Sequence, residues 1–222
     1  LPELQLSPDG LLTAVLMGTW GTAGASQFTG QTGEGPIRNW GGTQKEHFSV
    51  RQLNKTDAHQ MLKHQVTRYY CYSCSYGCGG ELDISKIKHN DAGYSIVHKP
   101  EYESQWDYTA FLLNDDNDAM LYINEYLNRQ GVDAISCGGC VGMAIECVEH
   151  GILTREDVGG LDLTWGNAEA IIEFVKMICE MRGIGELFSH GTRYAANVIG
   201  KGSDKFAVQG GGMEPPMHDS RL

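Results

Sequence analysis

Three of the chain's seven cysteines fall within eight residues, in the run Tyr70-Cys71-Tyr72-Ser73-Cys74-Ser75-Tyr76-Gly77-Cys78-Gly79-Gly80. The Cys-x2-Cys-x3-Cys spacing, closed by glycines where the backbone turns sharply, lets three thiolates face one point. Soft sulfur donors in that number suit an iron–sulfur cluster, which usually takes four. A zinc site and a disulfide are the competing readings of the bare spacing. No histidine lies at short ligand spacing after Cys78, so a zinc site would lack an obvious fourth donor. Cys137 and Cys140 form a second Cys-x2-Cys pair that would allow a self-contained site. Small buried cysteines at a helix start are the favoured reading there. Cys147 and Cys179 fall in helical patterns and read as core.

The elements that must carry these residues change character along the chain. Leu11 to Met17 reads as a short helix, followed by a glycine-rich loop. Gly35 to Gly42 reads as another loop, holding Arg38 and Trp40. Arg38 fits either a phosphate or a carboxylate partner. Thr56 or Asp57 is placed to cap a helix reaching about His64, and Val66 to Tyr70 reads as a strand leading into the cysteines. Residues 81–99 suit short strands or extended loops. From residue 104 the pattern turns helical. Asp115, Asp116 and Asp118 offer negative charge to a helix start, Met120, Ile123 and Leu127 share a face, and Gly131 is the stop. A second helix is expected over about Gly139 to His150. A third follows Asn167 as N-cap, with Ile171, Ile172, Phe174, Val175 and Ile178 on its buried side, and a fourth spans roughly Glu186 to Ile199. Long helices joined by short glycine-bearing turns predict a mainly α fold.

Composition excludes several functions. With 17 Lys+Arg against 28 Asp+Glu, the chain is too acidic to favour nucleic acid as a partner. No apolar run approaches membrane-spanning length, and the start does not resemble a secretion signal. Clustered cysteines in odd number argue for a reducing, cytoplasmic setting rather than a disulfide scaffold. Glycine makes up 29 of the 222 residues, well above the usual share. The missing initiator methionine and the segment Pro215 to Leu222, without helix or strand signal, read as a processed chain or part of something larger.

The series of features beyond the cysteines resembles the tungsten-pterin aldehyde:ferredoxin oxidoreductases. The residues that carry it are Pro36-Ile37-Arg38-Asn39-Trp40, then Lys99-Pro100-Glu101-Tyr102-Glu103 and Asn128-Arg129-Gln130-Gly131-Val132-Asp133-Ala134-Ile135-Ser136. Met143-Ala144-Ile145-Glu146 and Leu161-Asp162-Leu163-Thr164-Trp165-Gly166-Asn167-Ala168-Glu169-Ala170 follow in order. The resemblance implies the family's helical middle domain over residues 1–207, with a few short strands or extended segments near the cysteine loop, and the start of a following domain over 208–222. A β-rich domain would precede Leu1, and the cluster's fourth cysteine would follow Leu222.

By the same resemblance, Cys71, Cys74 and Cys78 bind three irons of a 4Fe–4S cluster beside one pterin of a tungsten or molybdenum bis-pterin. Gly131 and Asp133 match the Asp-x-x-Gly-Leu-Asp pterin motif, with Asn128 in place of its first Asp and Val132 in place of its Leu. Glu103 is the candidate acid–base residue, and Glu101 is expected to point elsewhere if the stretch is extended. His47 reads as a surface histidine. Tyr122-Ile123-Asn124-Glu125 does not supply the Glu-x-x-His of a dimer-bridging iron. The implied activity is oxidation of a small aldehyde to a carboxylic acid, with electrons passed to a ferredoxin-like carrier. A homo-oligomer or a subunit of a larger complex is the implied assembly. Alternatives are a relative that reduces an activated aromatic acid, or a non-catalytic iron–sulfur electron-transfer module.

Overall fold

The computed structural model describes residues 7–219. Two regions follow one another. The first is built of short elements: α1 (Pro8–Trp20), a 3-10 turn (Thr22–Ala25), α2 (Ser26–Thr32), α3 (Gln44–His47), α4 (Val50–Thr56) and α5 (Ala58–Leu62). A three-stranded antiparallel sheet, β1 (Gln65–Tyr69), β2 (Gly79–Asp83) and β3 (Ile96–His98), is ordered β1-β2-β3. The second region contains α6 (Tyr102–Trp106), a π-helical turn (Asp107–Phe111), α7 (Asn117–Gln130), α8 (Ala134–Glu149), α9 (Ala168–Cys179), α10 (Ile184–Phe188) and α11 (Thr192–Ile199). The architecture is mainly helical with a small sheet beside the cysteine loop, as the sequence implies.

The core lies in the second region. Every residue from Ala119 to Leu127 in α7 and from Cys137 to Ile145 in α8 is buried. A helix covered on all sides has no solvent face for polar residues, so α7 buries Asn124 and Glu125 along with its apolar side chains. α9 packs against α7, α8 and α10. Each fully buried aliphatic or aromatic side chain here contributes about 1.5–3 kcal/mol relative to its exposed state. Caps fix the boundaries: Asp116 accepts from the Asp118 and Ala119 N–H groups, and Asn167 from Ala170. Asp57, rather than Thr56, caps α5.

Three boundaries differ from expectation. α1 extends from Pro8 to Trp20, because Ser7 caps it and Pro8 occupies the first turn, where no N–H is needed. The second core helix begins at Ala134 rather than Gly139, because the Asp133 carboxylate accepts from Ser136 N–H at 2.8 Å. Gly138 and Gly139 therefore lie inside a helix. The expected fourth helix is two, since the chain breaks at Gly191, whose φ is 86°.

The loop at Arg38 is a left-handed turn of three consecutive non-glycine residues, Arg38, Asn39 and Trp40, with φ of 51°, 44° and 71°. Such a backbone is strained and needs outside support. Asn39 donates to Glu146 Oε2 at 2.5 Å and to Phe206 O at 3.0 Å. Arg38 pairs with Glu149 at 2.7 Å and lies over the Trp165 ring, so its partner is a carboxylate.

Candidate functional site

The cysteine loop connects β1 to β2, with Tyr69 paired to Gly79. Cys74 N–H closes a turn onto Cys71 O at 3.0 Å, and Ser73 and Gly77 take left-handed φ of 59° and 62°. Gly77 is required by space as well, since a Cβ there would overlap the Tyr70 ring. Arg68 braces the loop from β1: its Nε and Nη2 each donate to Gly77 O at 3.3 Å, and its guanidinium lies 5.9 Å from the Tyr70 ring centre. All three thiols are free; Cys71 is exposed, and Cys74 and Cys78 are half-buried. Burial, with the nearby Glu101 carboxylate and the other two thiols, pushes the Cys78 thiol above its ordinary value.

Lys99 sits beside this loop. Strand alternation puts Val97 inward and His98 outward, and Lys99 follows Val97 onto the inner face. Its N–H donates to Gly80 O at 2.8 Å, which extends the β2–β3 pairing one step toward Cys78. The residue is 4% exposed, and among the described residues its ammonium nitrogen has no hydrogen-bond partner. Burial lowers its pKa, while the Glu101 carboxylate and the Cys78 thiolate act to raise it. Gly21 makes the approach possible: a Cβ there would stand 2.9 Å from Cys78 O and 3.0 Å from Lys99 Nζ.

Glu103 lies on α6 in a cavity of about 280 Å³ that is also lined by Thr22, Glu101, Tyr102 and His218. Its Oε2 accepts from Met217 N–H at 2.6 Å, and His218 Nε2 stands 3.4 Å from its Oε1. The other imidazole nitrogen of His218 is 2.8 Å from Glu34, so the ring bridges two carboxylates. Tyr102 holds this arrangement together, with its ring tilted against His218 at 4.9 Å and its hydroxyl donating to Met217 O at 2.8 Å. Glu101 does not point away. The stretch is not extended, because a helix starts at Tyr102, whose N–H is capped by Thr22 Oγ1 while Thr22 donates to Glu101. Both carboxylates therefore face the same cavity.

Asn128, Gly131 and Asp133 occupy the junction of α7 and α8, where the chain bends by 120°. Gly131 is the left-handed residue that ends α7, with φ of 69°, and all three residues are exposed. Beside the junction lies a cavity of about 170 Å³ lined by Val132, Asp133, Ser136, Cys137, Cys140 and parts of α9 and α10.

Residues 7–222 match the family model described as aldehyde ferredoxin oxidoreductase, domains 2 and 3. The chain belongs to this family. It is 30% identical over 208 residues to an aliphatic sulfonate oxidoreductase, WOR-like subunit, of Pyrococcus furiosus, an alignment covering 91% of this chain and 32% of that protein. It is 27% identical over 203 residues to a tungsten-containing aldehyde ferredoxin oxidoreductase of Thermococcus kodakarensis, covering 91% of this chain and 31% of that protein. The chain thus spans about a third of the length of the curated relatives it matches. Among solved structures, the active-site complex of benzoyl coenzyme A reductase with 1,5-dienoyl-CoA superposes with a TM-score of 0.66 at 24% identity, over 80% of this chain and 25% of that one. That likeness shows a shared fold.

Three soft thiol donors on one glycine-closed loop are a donor set compatible with an iron–sulfur cluster. Among the described residues, no three His, Cys, Asp or Glu side chains converge tightly enough to grip one metal ion. The Lys99 ammonium is compatible with the same fit, because a buried cation without a hydrogen-bond partner is costly and an anionic cluster beside Cys78 would add to the attraction of Glu101. The second cysteine pair is different in kind. Cys137 and Cys140 lie in the first turns of α8, both buried, and Cys140 Sγ–H donates to Phe188 O at 3.3 Å. Burial pushes both thiols well above their ordinary range.

Three features escaped the sequence. His218 comes from the C-terminal segment and meets Glu103 across 115 positions, with no spacing to announce it. Lys99 was visible in principle, as a charged residue on the inward phase of a strand. Asp107, in the π-helical turn, is fully buried, and neither carboxylate oxygen has a partner among the described residues. Its burial, with repulsion from Glu103 and Asp133, holds its pKa well above the usual carboxylate range. π-Helical turns often mark functional sites, and this one follows α6, which carries Glu103.

Proposed function

We propose that this chain is the cluster-bearing part of a tungsten (or molybdenum) bis-pterin oxidoreductase that oxidises an aldehyde to a carboxylic acid and passes the electrons to a ferredoxin-like carrier. The observation that carries the reading is the glycine-closed loop of three free thiols in a chain matched to the family over residues 7–222. Cys71, Cys74 and Cys78 would hold three irons of a 4Fe–4S cluster, and Asn128, Gly131 and Asp133 would meet one pterin. When bound, these groups supply two-electron acceptance and single-electron transfer outward.

The chain's own residues do the rest. Glu103 is the group that takes the proton released as the substrate is oxidised. Its Oε2 is pinned by Met217 N–H, while its Oε1 has only the long approach of His218, so the carboxylate is oriented without being neutralised by a close ion pair. Tyr102 positions His218, and His218 steadies Glu103. Glu101, tied to Thr22, also lines the cavity. Asn128 retains an acceptor oxygen where the family motif has a carboxylate, so pterin contact there is by hydrogen bond rather than by charge. The carrier, and a homo-oligomeric or multi-subunit assembly, belong to the same proposal. The relative named as an aliphatic sulfonate oxidoreductase makes an aliphatic sulfonate the competing substrate class.

The test is anaerobic purification of the natural protein, metal analysis, and viologen reduction with aldehydes and with aliphatic sulfonates. Iron with tungsten or molybdenum, and aldehyde-dependent reduction, is the expected result. Sulfonate-dependent reduction alone would move the substrate class. A protein with no iron, or with iron and neither tungsten nor molybdenum, would overturn the reading.

A further inference from the structure

We infer that Lys99 is a tuning residue, a fixed buried cation that raises the reduction potential of the cluster held by Cys71, Cys74 and Cys78. The inference rests on the proposed cluster and adds a role for a residue outside its ligand set.

The placement is built into the fold. β2 begins one residue after Cys78, and β3 pairs with it so that Lys99 N–H meets Gly80 O at 2.8 Å. The ammonium is thereby held on the inner face of the sheet edge, beside the last cysteine of the loop. Gly21 removes the side chain that would stand between Cys78 and Lys99 Nζ. The charged and titratable groups that act on Lys99 are Glu101, Cys78 and Arg68. Arg68 is engaged with the Tyr76 and Gly77 carbonyls and serves as a brace. Glu101 accepts from Thr22. Lys99 Nζ alone among these cationic and anionic groups is buried without a hydrogen bond.

A cation in that position favours whichever cluster state carries more negative charge. Reduction adds one electron to the cluster and no proton to Lys99, so the ammonium stabilises the reduced form by direct attraction. Low local dielectric makes the attraction stronger than it would be at a surface. Charge, hydrogen bonds to sulfur and solvent exposure are the general levers on cluster potential, and Lys99 supplies the first.

The experiment is an EPR-monitored redox titration of the natural protein, the Lys99→Met variant and the Lys99→Arg variant. Lys99→Met is expected to lower the reduced-to-oxidised ratio at fixed ambient potential about tenfold, a 59 mV fall in midpoint for a one-electron couple. Lys99→Arg, which keeps the charge, is expected to restore most of the shift. A Lys99→Met midpoint equal to that of the natural protein overturns the inference while leaving the cluster in place. Absence of any cluster signal in the natural protein overturns the proposed function, and this inference with it. Should Lys99→Met not assemble a cluster, pulsed EPR of the reduced natural protein grown with 15N-lysine decides. A lysine nitrogen coupled to the cluster supports the role, and no coupling overturns it.

Discussion

The chain carries the pattern Cys-x2-Cys twice, and the two copies sit in opposite surroundings. Cys71 and Cys74 lie on a loop between strands, partly open to solvent, with left-handed residues at Ser73 and Gly77 and two cations nearby. Cys137 and Cys140 lie in the first turns of a core helix, closed over by α9 and α10, with one thiol already bonded to a carbonyl. Spacing is the same in both; backbone and burial decide what the sulfur can do. A thiolate is a ligand and nucleophile, and burial away from positive charge suppresses it. The comparison teaches that the loop leaves its thiols reachable, as the proposed ligation requires, whereas the helix pair is packed away.

The largest effect follows directly. Replacing Cys71, Cys74 or Cys78 with Ser is expected to abolish cluster iron in the purified protein. Cys137→Ala and Cys140→Ala should leave the iron-to-protein ratio unchanged and cost stability instead. In unfolded-then-refolded apoprotein, alkylation should label the three loop cysteines quickly and Cys137 and Cys140 slowly, read by peptide mass spectrometry. Iron loss from Cys137→Ala with loop variants intact would reverse the assignment.

A second contrast separates glycines by region. Gly138, inside α8, faces the Asp107 carboxylate so closely that any Cβ would overlap both its oxygens. Both partners are held in buried helices, so neither can yield cheaply. Gly138→Ala is expected to cost about 2–4 kcal/mol, through overpacking and displacement of a buried carboxyl group. Gly131, at the exposed junction, meets nothing within 4 Å, and its φ of 69° is the whole penalty. Gly131→Ala should cost about 1 kcal/mol. Denaturant midpoints of the two variants measure the difference; equal costs would show that the α8–Asp107 contact relaxes freely.

The two regions were unequally legible. The core helices could be read because periodic apolar residues and capping residues act locally: Asp116, Gly131 and Asn167 stand where their chemistry places them. The start of α8 was misplaced because Gly138 and Gly139 look like breakers, and the reason they are tolerated, close approach by Asp107 and Glu214, lies far away in the chain. The cysteine loop was legible from spacing, and it connects β1 to β2 with all three thiols free. Their surroundings were not: Lys99 arrives through strand pairing, and His218 through a C-terminal segment whose Glu214 ties it to the α11 N-terminus at Thr192. Local signals carry elements, while sites assembled across long separations depend on contacts that no window contains.

Asp107 offers a pH-dependent test of the core side of the comparison. Its native pKa lies above its unfolded value, because burial and the neighbouring Glu103 and Asp133 disfavour the charged form. The proton is therefore bound more tightly in the folded state. The associated stability is fully present below the unfolded carboxylate pKa, near 4, and declines as pH rises from there toward the elevated native value. Asp107→Asn, which cannot ionise, should flatten that decline and raise the unfolding midpoint at pH 7 relative to the natural residue. A decline that persists unchanged in the variant would place its origin elsewhere.

The smallest expected effect concerns the junction of α7 and α8. Asp133 has two assigned tasks, capping α8 through Ser136 N–H and, in the proposed function, accepting hydrogen bonds from a pterin. Asn caps a helix about as well as Asp, whereas Ala loses the cap at about 1 kcal/mol. Asp133→Ala should therefore lower the unfolding midpoint modestly, and Asp133→Asn should leave it nearly unchanged. If the carboxylate also meets the pterin, both variants retain less tungsten or molybdenum than the natural protein while keeping their iron. Full metal retention in Asp133→Asn, alongside the stability loss in Asp133→Ala, would reduce Asp133 to a helix cap and leave Gly131 and Asn128 as the pterin contacts of this junction.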